Sequence, residues 1–271
     1  MLTTTSGTPY WVDGPTSTTR PTLVFLHGVL MDHQSWNRQI EGLAGDYRIV
    51  RQDMLGHGAC PNRPGPRQLE DFVEQVRALI QETCPGEAPV LIGFSMGGLI
   101  AQAYAIQYAA ELSGLVLMSA VYNRTAEELA SVAARLENLE AQGVEGVISA
   151  ARKRWFRPDE MDTQGDQIEE ILGWMRDGDT GAKTKAYQVF TSEDHKTTGK
   201  LGAVSCPALV MTGDGDKGSP PHMSRAMAAE IPNARLAIIR DQQHMMPVLA
   251  AERVNAELRA FLEALPAQRD R

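Results

Sequence analysis

Short apolar runs, each closed by a turn, recur along this chain, and they constrain its fold more than any other feature. They fall at 22–26, 47–50, 89–92, 115–118, 208–211 and 234–239. Near-continuous apolar runs of this length suit strands buried on both faces, as in a parallel sheet. Between them the spacing turns helical, at 69–82, 98–110, 221–231 and 252–265. In the last of these Val254, Leu258, Phe261, Leu262 and Leu265 share one face. Alternating strand and helix predicts an α/β fold with a mostly parallel central sheet flanked by helices.

The alternation breaks over 123–200, where no strand run occurs. Thr125 followed by Glu128 reads as a capping box. Behind it Leu129, Val132, Ala133, Leu136 and Leu139 keep helical spacing, and further helical patterns lie at 144–156, 167–176 and 184–190. The prediction is a helical lid at 123–200 inserted into a core made of 1–122 and 201–271. The first 15 residues and the tail after Pro266 are expected to be loosely held.

Composition removes several classes of function. The chain has 271 residues, 43% hydrophobic and 22% charged, as in an ordinary globular protein. Acids exceed bases by 34 − 26 = 8, and no basic cluster exceeds Arg152-Lys153-Arg154, so nucleic acid is not an expected partner. No apolar stretch approaches the roughly 18 residues that a membrane span requires. The N-terminus lacks a basic and an apolar leader segment, so no membrane association and a cytoplasmic location are expected. Cys60, Cys84 and Cys206 are odd in number and widely spaced, which argues against a disulfide framework or a zinc site. They are expected to be buried thiols in a reducing compartment. No metal and no cofactor are expected.

The sharpest chemical signal is Gly93-Phe94-Ser95-Met96-Gly97, a G-x-S-x-G turn between a strand and a helix. Such a turn lifts the serine above the sheet, and its glycines let the backbone pack closely. A serine hydroxyl is a weak nucleophile and needs a base, which in turn needs an orienting acid. Of six histidines, His244 follows the last apolar run and precedes the last helix. That places it at the carboxyl edge of the sheet, where such sites form. His57 and His27 are read as loop anchors, His195 and His222 as lid and surface residues, and His33 has no clear assignment. The acid is expected in Gly213-Asp214-Gly215-Asp216, with Asp216 better placed than Asp214 to reach across. The oxyanion donors are expected to be the backbone N–H groups of Met96, at a helix N-terminus, and Val29. Activity should rise with pH as His244 becomes neutral.

These pieces together resemble the α/β-hydrolase fold over nearly the whole chain. The motifs are Phe25-Leu26-His27-Gly28, Asp53-Met54-Leu55-Gly56-His57-Gly58, Gly93-Phe94-Ser95-Met96-Gly97-Gly98, Gly213-Asp214-Gly215-Asp216 and His244. The chain order Ser95, Asp216, His244 is the order of that family. Two departures stand out: Ala59-Cys60-Pro61 follows the second motif where a serine is usual, and Gln243 precedes the histidine where a glycine is usual. A serine at the nucleophile position argues against the dehalogenase branch. The lid, with Arg154-Trp155-Phe156 inside it and Ala120-Val121-Tyr122-Asn123-Arg124 leading into it, is similar to that of 3-oxoadipate enol-lactonases. The resemblance implies a cofactor-independent serine hydrolase acting on a small ester or lactone, with Arg124 or Arg154 meeting a substrate carboxylate. Trp36, Trp155 and Met245 are further pocket candidates, as are Phe156, Trp174, Met175, Tyr187 and Phe190. A carbon–carbon hydrolase acting on a ring-fission diketone, a perhydrolase and a ligand receptor on the same fold remain open alternatives.

Overall fold

The computed structural model describes residues 1–266. The expectation for the tail after Pro266 lies outside them. Among the described residues eight strands form one sheet: β1 (Leu2–Thr3), β2 (Pro9–Asp13), β3 (Leu23–Leu26), β4 (Ile49–Gln52), β5 (Val90–Phe94), β6 (Gly114–Met118), β7 (Ala208–Gly213) and β8 (Ala234–Ile239). Their order is β1-β2-β4-β3-β5-β6-β7-β8. All neighbours from β4 to β8 pair in parallel. These six are the apolar runs of the sequence. Every residue of β3, β5, β6 and β7 is buried, as two-sided packing requires.

The N-terminal residues depart from expectation. They are not loose, because β1 and β2 extend the sheet, with β2 antiparallel to β4 from Tyr10↔Gln52 to Asp13↔Ile49. Asp13 accepts from Arg51 Nε at 3.0 Å, and Trp11 stacks on His33 with ring centroids 3.4 Å apart. An edge pair exposed on one face has no long apolar run to betray it.

The helices are α1 (Asn37–Leu43), α2 (Leu69–Thr83), α3 (Met96–Tyr108), α4 (Ala126–Gln142), α5 (Val144–Trp155), α6 (Pro158–Thr163), α7 (Gly165–Arg176), α8 (Thr180–Ser192), α9 (Pro221–Glu230), α10 (Met246–Leu249) and α11 (Ala251–Glu263). The set α4 to α8 is inserted between β6 and β7. Both halves of the Thr125/Glu128 capping box form at the start of α4, at 3.2 and 2.8 Å. Helix α3 is buried on all sides over its first ten residues, Met96 to Ala105, which explains why its sequence is apolar without amphipathic patterning. All three cysteines are buried and unpaired. Among the described residues no helix is long and apolar enough to cross a membrane.

Candidate active site

Ser95 sits between β5 and α3 with φ 54° and ψ −113°. A non-glycine residue in this left-handed region is strained, and such strain persists only where the surroundings enforce it. The enforcement is close packing of backbone on backbone. A Cβ at Gly97 would lie 2.2 Å from the Leu26 carbonyl oxygen, and one at Gly93 would lie 2.2 Å from that of Gly97. Neither contact can be relieved by a side-chain rotation. Gly97→Ala is therefore expected to cost about 3 kcal/mol of stability. Urea unfolding checks this, and a midpoint equal to wild type would contradict it.

His244 lies in the turn after β8. Its Nδ1 is 2.8 Å from Asp216 Oδ2. Asp216 Oδ1 accepts from the N–H groups of Gly218 and Ser219 at 2.8 and 2.9 Å. Burial works against ionising this carboxyl, but the neighbouring His244, as charge and as donor, and the Ser219 N–H together hold it below the usual carboxylate range. The exposed Asp214 carboxylate accepts from the Gln242 N–H at 3.3 Å, and it is Asp216 that faces the imidazole. The ring of His244 packs between Phe94 and Trp155, with centroids 5.0 and 5.4 Å away. Ser95 and His244 line the same cavity. Among the described residues the Ser95 hydroxyl makes no hydrogen bond to His244 or to any other group; catalytic hydrogen bonds of this kind often tighten only when substrate binds.

The loop after β3 runs past the serine. A Cβ at Gly28 would touch Phe94 at 3.0 Å and Ser95 Cβ at 3.4 Å. Among the described residues the N–H groups of Val29 and Met96 have no hydrogen-bond partner. Two buried histidines hold this loop. The Met54 N–H donates to His27 Nε2 and the Leu30 N–H to His57 Nε2, both at 3.0 Å. His33, unassigned from sequence, packs beside them: its N–H and its Nδ1 reach Asp53 Oδ1 at 2.9 and 2.8 Å.

Burial pushes the imidazoles of His27 and His57 below the ordinary value, His57 well below it. The unfolded chain takes up protons near pH 6.5 where the folded chain does not. Stability is therefore full above that pH and falls as pH drops through it, until the folded values are reached. The slope is at most about 1.4 kcal/mol per pH unit for each histidine. Urea midpoints at pH 7.5 and 5.5 measure this; the lower pH should give the lower midpoint, and equal midpoints would contradict it.

Three inserted helices close over the serine. The cavity wall includes Arg135 of α4, Val147, Arg154 and Trp155 of α5, and Tyr187 and Phe190 of α8, facing Val29, Leu30, Ser95, Gly218, Ser219 and His244. The cavity is narrow, leaving about 20 Å³ for the centres of water-sized molecules. Of the pocket candidates from sequence, Arg154, Trp155, Tyr187 and Phe190 lie on this wall. Arg124, Trp36, Met245, Phe156, Trp174 and Met175 do not; the last three are buried among the inserted helices. Arg124 pairs with Asp194 at 3.5 Å and donates to the Phe190 carbonyl at 2.8 Å, which ties the segment leading into α4 to α8 and the turn after it. Trp36 packs on Phe25 and Phe94, and Met245 is buried at the start of α10. Arg135 was missed. It lies on the helical face of Val132 and Leu139, where nothing in the sequence marks it off from a solvated arginine.

Among the described residues neither Arg154 nor Arg135 has a carboxylate partner. Arg135 contacts the Tyr187 hydroxyl at 3.3 Å and Ser131 Oγ at 3.0 Å. Burial, and then the like charge of Arg135, lower the Arg154 pKa to about 10. Two cations thus face one small cavity, and among the described residues no carboxylate pairs with either.

The sheet order, the strained serine turn and the His244–Asp216 pair define a hydrolase architecture. Residues 23–257 match the sequence profile of the alpha/beta hydrolase family, and the chain belongs to that family. It is 31% identical over 245 residues, 90% of this chain and 91% of the relative, to (E)-2-((N-methylformamido)methylene)succinate hydrolase of Acinetobacter baylyi. It is 27% identical to 3-oxoadipate enol-lactonase 1 of the same organism, over 76% of this chain and 74% of that one. The fold superposes on the enol-lactonase from Burkholderia xenovorans LB400 with a TM-score of 0.87, covering 96% of this chain and 98% of the other at 23% identity.

Proposed function

We propose that the protein is a cofactor-independent serine hydrolase that cleaves a small carboxylic ester or lactone carrying a free carboxylate. The observation that carries this reading is the strained Ser95 sharing a cavity with a His244 whose Nδ1 is tied to Asp216. Asp216 keeps the proton on Nδ1, which leaves Nε2 free to accept the serine proton. Ser95 Oγ attacks the carbonyl as that proton moves to His244. The N–H groups of Val29 and Met96 receive the developing oxyanion; one such donor is worth about 2.7–4 kcal/mol in the barrier. His244 then gives its proton to the leaving oxygen, and an acyl-enzyme remains. Water attacks it with His244 again acting as base. In a lactone the leaving alcohol stays on the acyl chain, so a single product departs.

Residues 123–200 act as a lid over a core of 1–122 and 201–271. Side chains of α4, α5 and α8 wall the cavity opposite Ser95, so these helices set what can enter it. The carboxylate requirement is supported by the guanidiniums of Arg154 and Arg135, which have no carboxylate partner among the described residues, since a guanidinium fork matches a carboxylate. It is also supported by the relatives, whose names contain succinate and oxoadipate, both carboxylate-bearing.

Turnover of p-nitrophenyl butyrate and of the p-nitrophenyl monoester of glutaric acid tests both parts. Continuous turnover is expected, with the glutarate ester favoured. Release of one equivalent followed by a halt would point instead to a binding protein. Arg154→Met should raise KM for the glutarate ester about 10- to 100-fold, the worth of a hydrogen bond to a charged group. The neutral ester should be nearly unaffected; an equal change for both esters would remove the carboxylate from the proposal.

A further inference from the structure

We infer that His27 and His57 are positioning residues for the oxyanion loop, forming a crossed clasp that holds only while both rings are neutral. The inference rests on the reading of the Val29 N–H as an oxyanion donor. Each ring belongs to one loop and receives an N–H from the other. His27, after β3, accepts from Met54; His57, after β4, accepts from Leu30. The opposite ring nitrogens face carbonyls, His27 Nδ1 that of Gly28 at 2.8 Å and His57 Nδ1 that of Leu55 at 3.1 Å. Those partners assign the proton to Nδ1 and the lone pair to Nε2 in both rings. The rings meet edge to face with centroids 5.1 Å apart, so the two halves of the clasp touch.

What the clasp holds is strained. Leu30 has φ 66°, a left-handed conformation that a leucine adopts only under constraint. Its N–H is the group that His57 accepts. Without that bond Leu30 can relax to ordinary backbone angles. The peptides just before it would rotate, and the Val29 N–H would turn away from the serine. Protonating either ring has the same result, because an Nε2–H would then point at an N–H. The charged groups around the clasp divide. Asp53 faces both rings, Asp32 and His33 face His27, and Lys183 of α8 faces His57. Lys183 is itself buried, donating to the carbonyls of Trp174 and Met175 at 3.1 Å, and its charge opposes a proton on His57.

Imidazole ¹⁵N spectra of the wild-type protein at pH 7.5 test the assignment. The expected pattern is Nδ1 protonated and Nε2 bare in both His27 and His57; a proton on either Nε2 overturns the clasp. Kinetics with p-nitrophenyl butyrate test its role. H57A should lose about 10- to 100-fold in kcat with KM little changed, as a misplaced donor does. H57Q, whose side-chain oxygen can accept the Leu30 N–H, should recover most of that loss. Its acid limb should be less steep than that of wild type, by the removal of one titrating group. Wild-type kcat in H57A, or an H57Q as impaired as H57A, would refute the positioning role. If H57A does not fold, the spectra and H57Q still decide. Should Ser95→Ala retain turnover, the hydrolase reading fails while the spectra still judge the clasp.

Discussion

Ser95→Ala is expected to lower kcat by about 10⁴- to 10⁶-fold toward p-nitrophenyl butyrate while leaving stability within about 0.5 kcal/mol of wild type. The two halves of this result have separate causes. The rate falls because no other group in the cavity wall offers a nucleophile beside His244. Ser219 lies on the same wall, but the bond from its N–H to the Asp216 carboxylate places it on the acid's side of the imidazole, and its hydroxyl is buried. Stability holds because the Ser95 hydroxyl makes no hydrogen bond among the described residues, so its removal orphans nothing. Alanine also bears the left-handed φ of 54° no worse than serine. A large rate loss together with an equally large loss of stability would assign Ser95 a structural role instead.

Asp216→Asn is expected to cost about 10⁴-fold in kcat, through the wrong tautomer rather than lost structure. Asp216 Oδ1 accepts two backbone N–H bonds, from Gly218 and Ser219. An asparagine must present its carbonyl oxygen to that pair, since an NH₂ there would face two donors. Its NH₂ then points at His244 Nδ1, which must become an acceptor. The imidazole proton moves to Nε2, the nitrogen that has to take the serine proton. The acylation rate of the variant measures this effect. A loss below tenfold would mean that Asp216 does not set the tautomer.

Much of this arrangement was legible in the sequence because it is local. The six parallel strands announced themselves as apolar runs, since a strand buried on both faces leaves no room for polar alternation. The serine turn was legible because its glycines are required at positions 93 and 97, where the backbone comes too close for a Cβ. His244 and Asp216 followed from their place after successive strands. The features that were not legible depend on partners far away in the chain. Strand β2 is half-exposed and owes its place to β4, Arg51 and His33. Arg124 looked as available as Arg154, and only Asp194 and the Phe190 carbonyl, brought in by α8, show that it is engaged. Arg135 reaches the cavity by the packing of α4 against α8, which no spacing within α4 reveals.

The most direct measurement is covalent labelling by an organophosphonyl fluoride, which reacts with a serine whose oxyanion donors and base are assembled, followed by peptide mass mapping. Loss of activity should track one label per chain, carried on Ser95, and His244→Ala should label far more slowly. A label on another residue, or full inactivation with Ser95 unmodified, would contradict the account.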